Sequence, residues 1–334
     1  MSSELAFMSA VDLARNIRQR NVSSLEVTQN FFERIDRLDS QLNSYLTLCH
    51  DQALADARTA DEAVQQGSML GPLHGVPISI KDLELTNGVR TTMGSAMFRD
   101  RVPDMDSIVV ERVKASGAII LGKTNTPEFG LSGTTENKLG EPCRNPWNTE
   151  RTPGGSSGGA ASALAAGLCT ISTGSDGGGS IRIPASFSGL FGIKPTQGRV
   201  PRYGGYGRPA ANHFSQSGPI TRTVADSALL LQVIAGPDSR DVTSIRTPAP
   251  DFSVGLEAGV KGMKFAWTSD YGYAAVDPEV LQVTERAAQI FAGLGATVDD
   301  GNLNIEDPFP SFWDIFATAS VSYTHLTLPT NREV

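Results

Sequence analysis

The chain has 334 residues, of which 40% are hydrophobic and 19% charged, and its net charge at pH 7 is −8. This composition is typical of a soluble globular protein of one large domain or two, and the acidic balance argues against general nucleic-acid binding. Cys49, Cys143 and Cys169 form no CxxC pair, so neither a disulfide framework nor a zinc site is indicated. The N-terminus has no signal-peptide pattern and no run of eighteen apolar residues occurs, which predicts a cytoplasmic protein without a membrane segment.

Helix patterns come first along the chain, and short apolar runs follow them. Ser23, with Glu26 three positions later, predicts a capping box at a helix start, and Gly67 is predicted to end an alanine-rich helix that begins near Asp51. Beyond Gly67, apolar runs alternate with helical segments, which indicates a layered α/β fold with buried strands. The predicted strands are Val76–Ile80, Ala118–Leu121, Thr170–Thr173 and Leu190–Ile193, and the predicted helices between them are Ile108–Ser116, Gly158–Ala166 and Val224–Ala235.

Residues 154–185 contain two glycine-rich loops separated by a small-residue helix and a short strand. Glycine and serine runs alone are most often flexible linkers. Here, however, the first run is followed by regular elements and by a second glycine run that ends in Ser180-Ile-Arg-Ile-Pro184. Loops without Cβ atoms let backbone N–H groups approach a ligand closely, so this stretch is the strongest candidate for an active site.

At these residues the sequence resembles the amidase signature family, serine hydrolases that cleave amides with a Ser-Ser-Lys triad. The resemblance runs from about Leu13 to Gly301, and it implies a mixed central sheet covered by helices on both faces. The motifs that carry it are Gly75–Asp82 (GVPISIKD), Thr91–Ser95 (TTMGS), Gly122–Gly130 (GKTNTPEFG), Asn145–Asn148 (NPWN), Lys194–Pro201 (KPTQGRVP) and Gly218–Asp226 (GPITRTVAD), together with the two serine loops.

The resemblance assigns a role to each residue of the predicted site. By position, Ser180 is the nucleophile, Ser156 the bridging serine and Lys81 the base, and the peptide bond from Gly155 to Ser156 is expected to be cis. The predicted oxyanion hole consists of the backbone N–H groups of Gly177, Gly178, Gly179 and Ser180, and Asp176 and Arg182 are expected to brace the loop. No metal and no cofactor are predicted.

The chemistry requires these residue types. A serine hydroxyl needs a base to remove its proton, and a lysine can be that base only when it is neutral. Because an ordinary lysine is mostly charged at pH 7, the site must lower the pKa of Lys81 by burial or by hydrogen-bond donors. Val76, Pro77, Ile78 and Ile80 supply an apolar approach to it.

Two other kinds of site are less consistent with the sequence. The segment Gly117–Thr124 satisfies the P-loop pattern, but its Ala-Ile-Ile-Leu core reads as a buried strand rather than as a loop that opens a helix. The histidines share no metal-binding spacing and none has the context of a catalytic base. They are His50, His74, His213 and His325.

The sequence narrows the substrate only to a small-molecule amide. Members of the family include broad amidases and also the glutaminase (A) subunit of glutamyl-tRNA(Gln)/aspartyl-tRNA(Asn) amidotransferases, which usually has Gln where this chain has Ile183. That residue favours a stand-alone amidase, and the glutaminase subunit is the alternative. We expect no direct nucleic-acid or membrane partner, and a homodimer is compatible with the sequence.

The amidase signature domain is predicted over residues 1–320, incomplete at its C-terminus, with no linker long enough to separate two domains. An amphipathic helix is expected after Pro308, with Phe312, Ile315, Phe316 and Ala319 on one face. Residues 321–334, VSYTHLTLPTNREV, match no part of the family pattern, and the first ten back-translate to a transposase-type adaptor sequence. We therefore expect this tail to be non-native and to form no part of the fold.

Overall fold

The computed structural model describes residues 3–204, 214–301, 303 and 305–316. They fall in two compact units that divide between Phe252 and Ser253. The single amidase signature domain over residues 1–320 stays a prediction. The tail at residues 321–334, Ala319, His213 and His325 lie outside the described residues.

The first unit is built on six strands, and helices pack against them. The strands are β1 Tyr45–Leu48, β2 Pro77–Lys81, β3 Ile119–Thr124, β4 Ile171–Asp176, β5 Phe191–Gly192 and β6 Gln216–Thr221. The helices are α1 Ser3–Phe7, α2 Ala10–Arg18, α3 Ser24–Leu42, α4 His50–Gln65, α5 Ile108–Ala115, α6 Gly158–Ala165, α7 Arg182–Ser188 and α8 Val224–Ile234.

The six strands form one mixed sheet in the order β1-β3-β2-β4-β6-β5. Strand β2 is parallel to both β3 and β4, and the pairs β1–β3, β4–β6 and β5–β6 are antiparallel. Every residue of β2, β3 and β6 is buried, so the centre of the sheet is covered on both faces. Because β2 and β4 are parallel neighbours, their carboxyl ends lie at the same edge of the sheet, and that edge carries the candidate site.

The helix signals of the sequence correspond to local contacts. Ser23 is the N-cap of α3, and its Oγ accepts a hydrogen bond from the Glu26 N–H. Gly67 follows the end of α4 with a φ of +69°. Helix α6 lies very close to its neighbours, because a Cβ atom on Gly159 would be 2.3 Å from Asn125 N and 2.5 Å from Ser44 O.

The four predicted strands are confirmed as β2 to β5, with ends shifted by a few residues, but the sequence does not predict β1 and β6. Strand β6 has the sequence QSGPIT, and glycine and proline argue against a central strand. Its proline is tolerated because the carbonyl of Pro219 still accepts a hydrogen bond from Ile193 N–H at 3.3 Å.

The second unit contains two parallel strands and the helix that connects them: β7 Lys264–Trp267, α9 Pro278–Gly293 and β8 Thr297–Asp300. Asp277 caps α9, and its carboxylate accepts from the Glu279 N–H. The helix expected after Pro308 is present over residues 309–316. Its rings of Phe312 and Phe316 stack with centroids 5.3 Å apart.

Candidate active site

Lys81 is the last residue of β2, and its side chain ends among serine hydroxyls. It is 1% exposed, and its Nζ donates to Ser156 Oγ at 2.7 Å, to Ser157 Oγ at 2.8 Å and to Ser175 Oγ at 3.0 Å. Its backbone N–H donates to Thr173 Oγ1 at 3.0 Å, which ties the end of β2 to β4. In the described part of the chain, only hydroxyl and carbonyl oxygens lie within hydrogen-bonding distance of this amine.

Burial changes the ionisation of Lys81. It lowers the pKa of the amine from 10.5 to about 7, against the charges of Asp176 and Glu84, which act in the opposite direction. At pH 7, a group with such a pKa is about half neutral. A neutral amine has a lone pair that can accept a proton from a neighbouring hydroxyl, which is what a general base requires.

The first glycine loop brings Ser156 to Lys81. The peptide bond between Gly155 and Ser156 is cis, as the resemblance implied. Ser156 is 1% exposed, and the loop passes so close to another backbone segment that a Cβ on Gly155 would be 2.7 Å from Thr134 O. Only glycine fits at that position, so the loop sequence and the placement of the serine depend on each other.

The second glycine loop connects β4 to α7 and carries Ser180, which is half-buried. Gly179 has a φ of +117°, a conformation open to glycine. The Ser157 N–H donates to Ser180 O at 3.2 Å, so a backbone hydrogen bond joins the two loops. The structure therefore brings all three predicted triad residues to one edge of the sheet.

Asp176 fixes the shape of the second loop from within. Its buried carboxylate accepts from the N–H groups of Gly179 at 2.7 Å and Ile181 at 3.2 Å, and from the guanidinium of Arg182 at 2.8 and 3.0 Å. Burial alone would raise the pKa of Asp176, but the hydrogen bonds from Arg182 and Gly179 outweigh it and hold the pKa below its ordinary value.

The same contacts leave fewer N–H groups free to form the predicted oxyanion hole. The Gly179 N–H already donates to Asp176, so it is engaged within the loop. The remaining predicted donors are the N–H groups of Gly177, Gly178 and Ser180, and the mechanism proposed below uses these three.

Sequence reasoning missed two of the hydroxyls around Lys81. Ser157 follows Ser156 directly, and its Oγ contacts both Lys81 and the Ser175 N–H. Ser175 lies two residues after Thr173 on β4, and both side chains contact Lys81. The period of two along a strand is the signal that could have identified Ser175.

Other kinds of site find less support. Within the described ranges, no group of three or more histidine, cysteine or acidic side chains could hold a metal ion. His74 contacts Ala60 O through Nε2 at 2.9 Å, and the ring of His50 lies against Phe32. Residues 119–124 of the P-loop-like segment form β3 rather than a phosphate loop. In the part of the chain that the structure describes, no helix is both long and apolar enough to cross a membrane.

Comparison with known proteins identifies one family and its relatives. The family described as Amidase matches residues 26–328, a range that extends past residue 320 into the tail that the sequence predicts to be non-native. The glutamyl-tRNA(Gln) amidotransferase A-subunits of Geobacter sp. (strain M21) and Moorella thermoacetica are 42% and 45% identical to this chain, and the matches cover 96% and 93% of it. They cover 65% and 63% of those relatives, so the chain spans less than two thirds of their length.

Solved structures are similar over nearly the whole chain. A bacterial aryl acylamidase of the amidase signature family has a TM-score of 0.88 at 33% identity, over 99% of this chain and 70% of that one. The glutamyl-tRNA(Gln) amidotransferase A-subunit of Thermotoga maritima has a TM-score of 0.82 at 32% identity, over 100% of this chain and 68% of that one.

Proposed function

Because this chain belongs to the amidase signature family, we propose that it hydrolyses a carboxylic amide through an acyl-enzyme formed on Ser180. The observation that carries this proposal is the buried Lys81 amine, whose pKa is lowered to about 7 and which lies 2.7 Å from Ser156 Oγ. A lysine in that state can accept a proton at neutral pH, whereas an ordinary lysine cannot.

The proposed mechanism passes a proton to Lys81 and back again in each half of the reaction. Ser180 Oγ attacks the amide carbonyl carbon while its proton passes to Ser156 Oγ, and the Ser156 proton passes to Lys81 Nζ. The N–H groups of Gly177, Gly178 and Ser180 stabilise the negative oxygen of the tetrahedral intermediate. Lys81 then returns a proton through Ser156 to the leaving nitrogen, and ammonia or an amine departs. Water then attacks the acyl carbon while its proton passes through Ser156 to Lys81. The bond from the acyl carbon to Ser180 Oγ breaks, the proton returns to Ser180 by the same route, and the carboxylic acid departs.

The second candidate is a glutaminase subunit of an amidotransferase, and the names of the relatives favour it. In that case the chain would act with partner subunits. Against it stands Ile183, which packs on both glycine loops: a Cβ on Gly154 would be 3.0 Å from its Cγ2, and a Cβ on Gly179 would be 2.7 Å from its Cδ1. This apolar side chain beside the proposed nucleophile suits an aliphatic or aryl amide better than glutamine.

A fluorophosphonate probe tests the nucleophile without knowledge of the substrate. We expect the purified chain to be labelled at Ser180, located by mass spectrometry, and Ser180→Ala to lose labelling and about 10⁴-fold or more of any amide hydrolysis while remaining folded. Ser68→Ala changes an exposed serine after α4 and is the control that should behave as wild type. Labelling at another serine, with activity preserved in Ser180→Ala, would contradict the proposal.

Release of ammonia or amine from a panel of substrates separates the two candidates. A stand-alone amidase should act on simple aliphatic and aryl amides in the absence of any partner. A glutaminase subunit should prefer glutamine and need the other amidotransferase subunits for full activity. Size-exclusion chromatography of the same sample tests the predicted homodimer.

A further inference from the structure

A second buried lysine lies on the other side of the strand that carries Lys81. Lys123 is paired in register with Ile80 on neighbouring strands, and Lys81 is paired with Thr124. Because side chains alternate along a strand, Lys123 points to the face opposite Lys81. Asp82, the residue after β2, reaches the same side: Asp82 Oδ1 is 3.8 Å from Lys123 Nζ, and both side chains are 0% exposed.

This pair holds the loop that follows β2. The second carboxylate oxygen of Asp82 accepts from the N–H of Thr92 at 2.9 Å and from its hydroxyl. The Asp82 N–H donates to Thr124 O at 3.2 Å, which fixes the start of the loop to β3. Lys123 Nζ donates to three oxygens of the loop, namely Glu84 O, Thr86 Oγ1 and Thr91 Oγ1.

Hydrogen bonds alone do not compensate for the burial of Asp82 and Lys123. In the described part of the chain Asp82 Oδ1 has no hydrogen-bond partner, and the ammonium of Lys123 is the compensation for its burial. Burial is the largest influence on both groups, lowering the pKa of Lys123 to about 8 and raising that of Asp82. Such a buried pair adds little stability over an apolar pair of the same size, so stability alone does not account for its presence.

The loop that follows β2, which Asp82 and Lys123 hold, lies next to the proposed active site. A Cβ on Gly130 would be 2.7 Å from Leu83 Cδ1 and 3.1 Å from Ser156 Oγ, so Leu83 lies beside the bridging serine. The Glu84 carboxylate accepts from Ser217 Oγ at 2.6 Å. Ser217 is paired in register with Ser175, which contacts Lys81. Both residues that follow Asp82 therefore lie near the triad, and Lys123 holds the backbone of Glu84.

We propose that Asp82 and Lys123 are positioning residues that lock the carboxyl end of β2, so that the Lys81 amine stays against Ser156 during amide hydrolysis. The proposal rests on the function proposed above, with Lys81 as the base. It implies that the pair affects the rate through the position and ionisation of Lys81, whose own charged neighbours are Asp176 and Glu84.

The test compares the double variant Asp82→Asn/Lys123→Met with wild type. Both substitutions keep size and remove charge, so no lone buried ion remains, and the variant should fold. We expect its fluorophosphonate labelling rate to fall at least tenfold, and the pH midpoint of labelling to rise as Lys81 becomes less well held and better solvated. Arg15→Met, which breaks the exposed ion pair of Arg15 with Asp12 on α2, is the control that should leave rate and midpoint unchanged.

The outcomes separate this inference from the proposed function. If wild type is not labelled at Ser180, the proposed function fails first and this inference with it. If wild type is labelled and the folded double variant keeps its rate and midpoint, the positioning role is wrong and the proposed function stands. Should the double variant not fold, Thr91→Val removes one contact to Lys123, and it must show a smaller change in the same direction or the proposal is overturned.

Discussion

The lowered pKa of Lys81 makes the most direct prediction about activity. An amine with a pKa of 10.5 is neutral in about 1 of 3,000 molecules at pH 7, whereas a pKa of about 7 makes about half of the molecules neutral. The burial of this one side chain therefore raises the fraction of usable base at pH 7 by about a thousandfold.

The pH profile of Ser180 labelling, and of kcat/KM for whichever amide is hydrolysed, measures this effect. Below pH 7 both rates should fall about tenfold per pH unit, and above pH 8 they should be level. Lys81→Arg should be inactive at every pH, because a guanidinium does not deprotonate in this range. A rate that is flat from pH 5 to 9 in wild type, or an active Lys81→Arg variant, would refute Lys81 as the base.

Stability should respond to the same ionisation. Because the pKa of Lys81 is lower in the folded chain, the unfolded chain binds more protons between pH 7 and 10.5, and the free energy of unfolding gains up to about 1.4 kcal/mol per pH unit from this group as the pH rises. Denaturant unfolding of Lys81→Met should show a shallower rise over that window. An unchanged slope would mean that Lys81 is charged in the folded protein.

Three further substitutions have defined outcomes. Glu84→Gln removes a charge that raises the pKa of Lys81, so the acid limb of the pH profile should move to lower pH; a move upward would contradict the assigned electrostatics. Asp176→Asn removes the anion that accepts from Gly179 and the guanidinium, and we expect activity to fall by roughly 100-fold, comparable to losing one oxyanion donor, with circular dichroism unchanged. Gly159→Ala should lower the free energy of unfolding by about 1–3 kcal/mol in a urea titration, because its Cβ would meet backbone atoms. Gly133→Ala is the control and should be neutral, because a Cβ there would enter open space.

Local patterns in the sequence predict much of the fold. The strand that holds Lys81 is identifiable because the largely apolar segment Val76–Ile80 marks a buried strand. The start of the strand that holds Ser175 is identifiable from its β-branched residues at 170–173, but residues 174–176, which complete it, are not. The Ser23 cap is identifiable because it depends on a contact three residues away. Strand β6 is not predictable from local patterns because Gly218 and Pro219 are atypical of a central strand. They form one here because the neighbouring strand β4 pairs with them.

The site is predicted less completely, for a physical reason. The positions of Lys81, Ser156 and Ser180 follow from motif resemblance, and their roles remain predictions that the experiments above test. The contact of Ser175 with Lys81 and the pairing of Lys123 with Asp82 depend on strand register across long stretches of chain. Register of that kind is set by tertiary packing, which local patterns do not encode.

During folding, β4 must pair with β2 before Lys81 can contact Ser175. The amine of Lys81 reaches Ser175 across 94 positions of the chain, and such distant contacts form slowly because a long loop must close first. Until β4 docks beside β2, Lys81 is an ordinary solvated lysine and stays charged at neutral pH. If Lys81 is the base, as proposed, labelling at Ser180 should begin only when the centre of the sheet closes, and the appearance of fluorophosphonate labelling during refolding would time that closure.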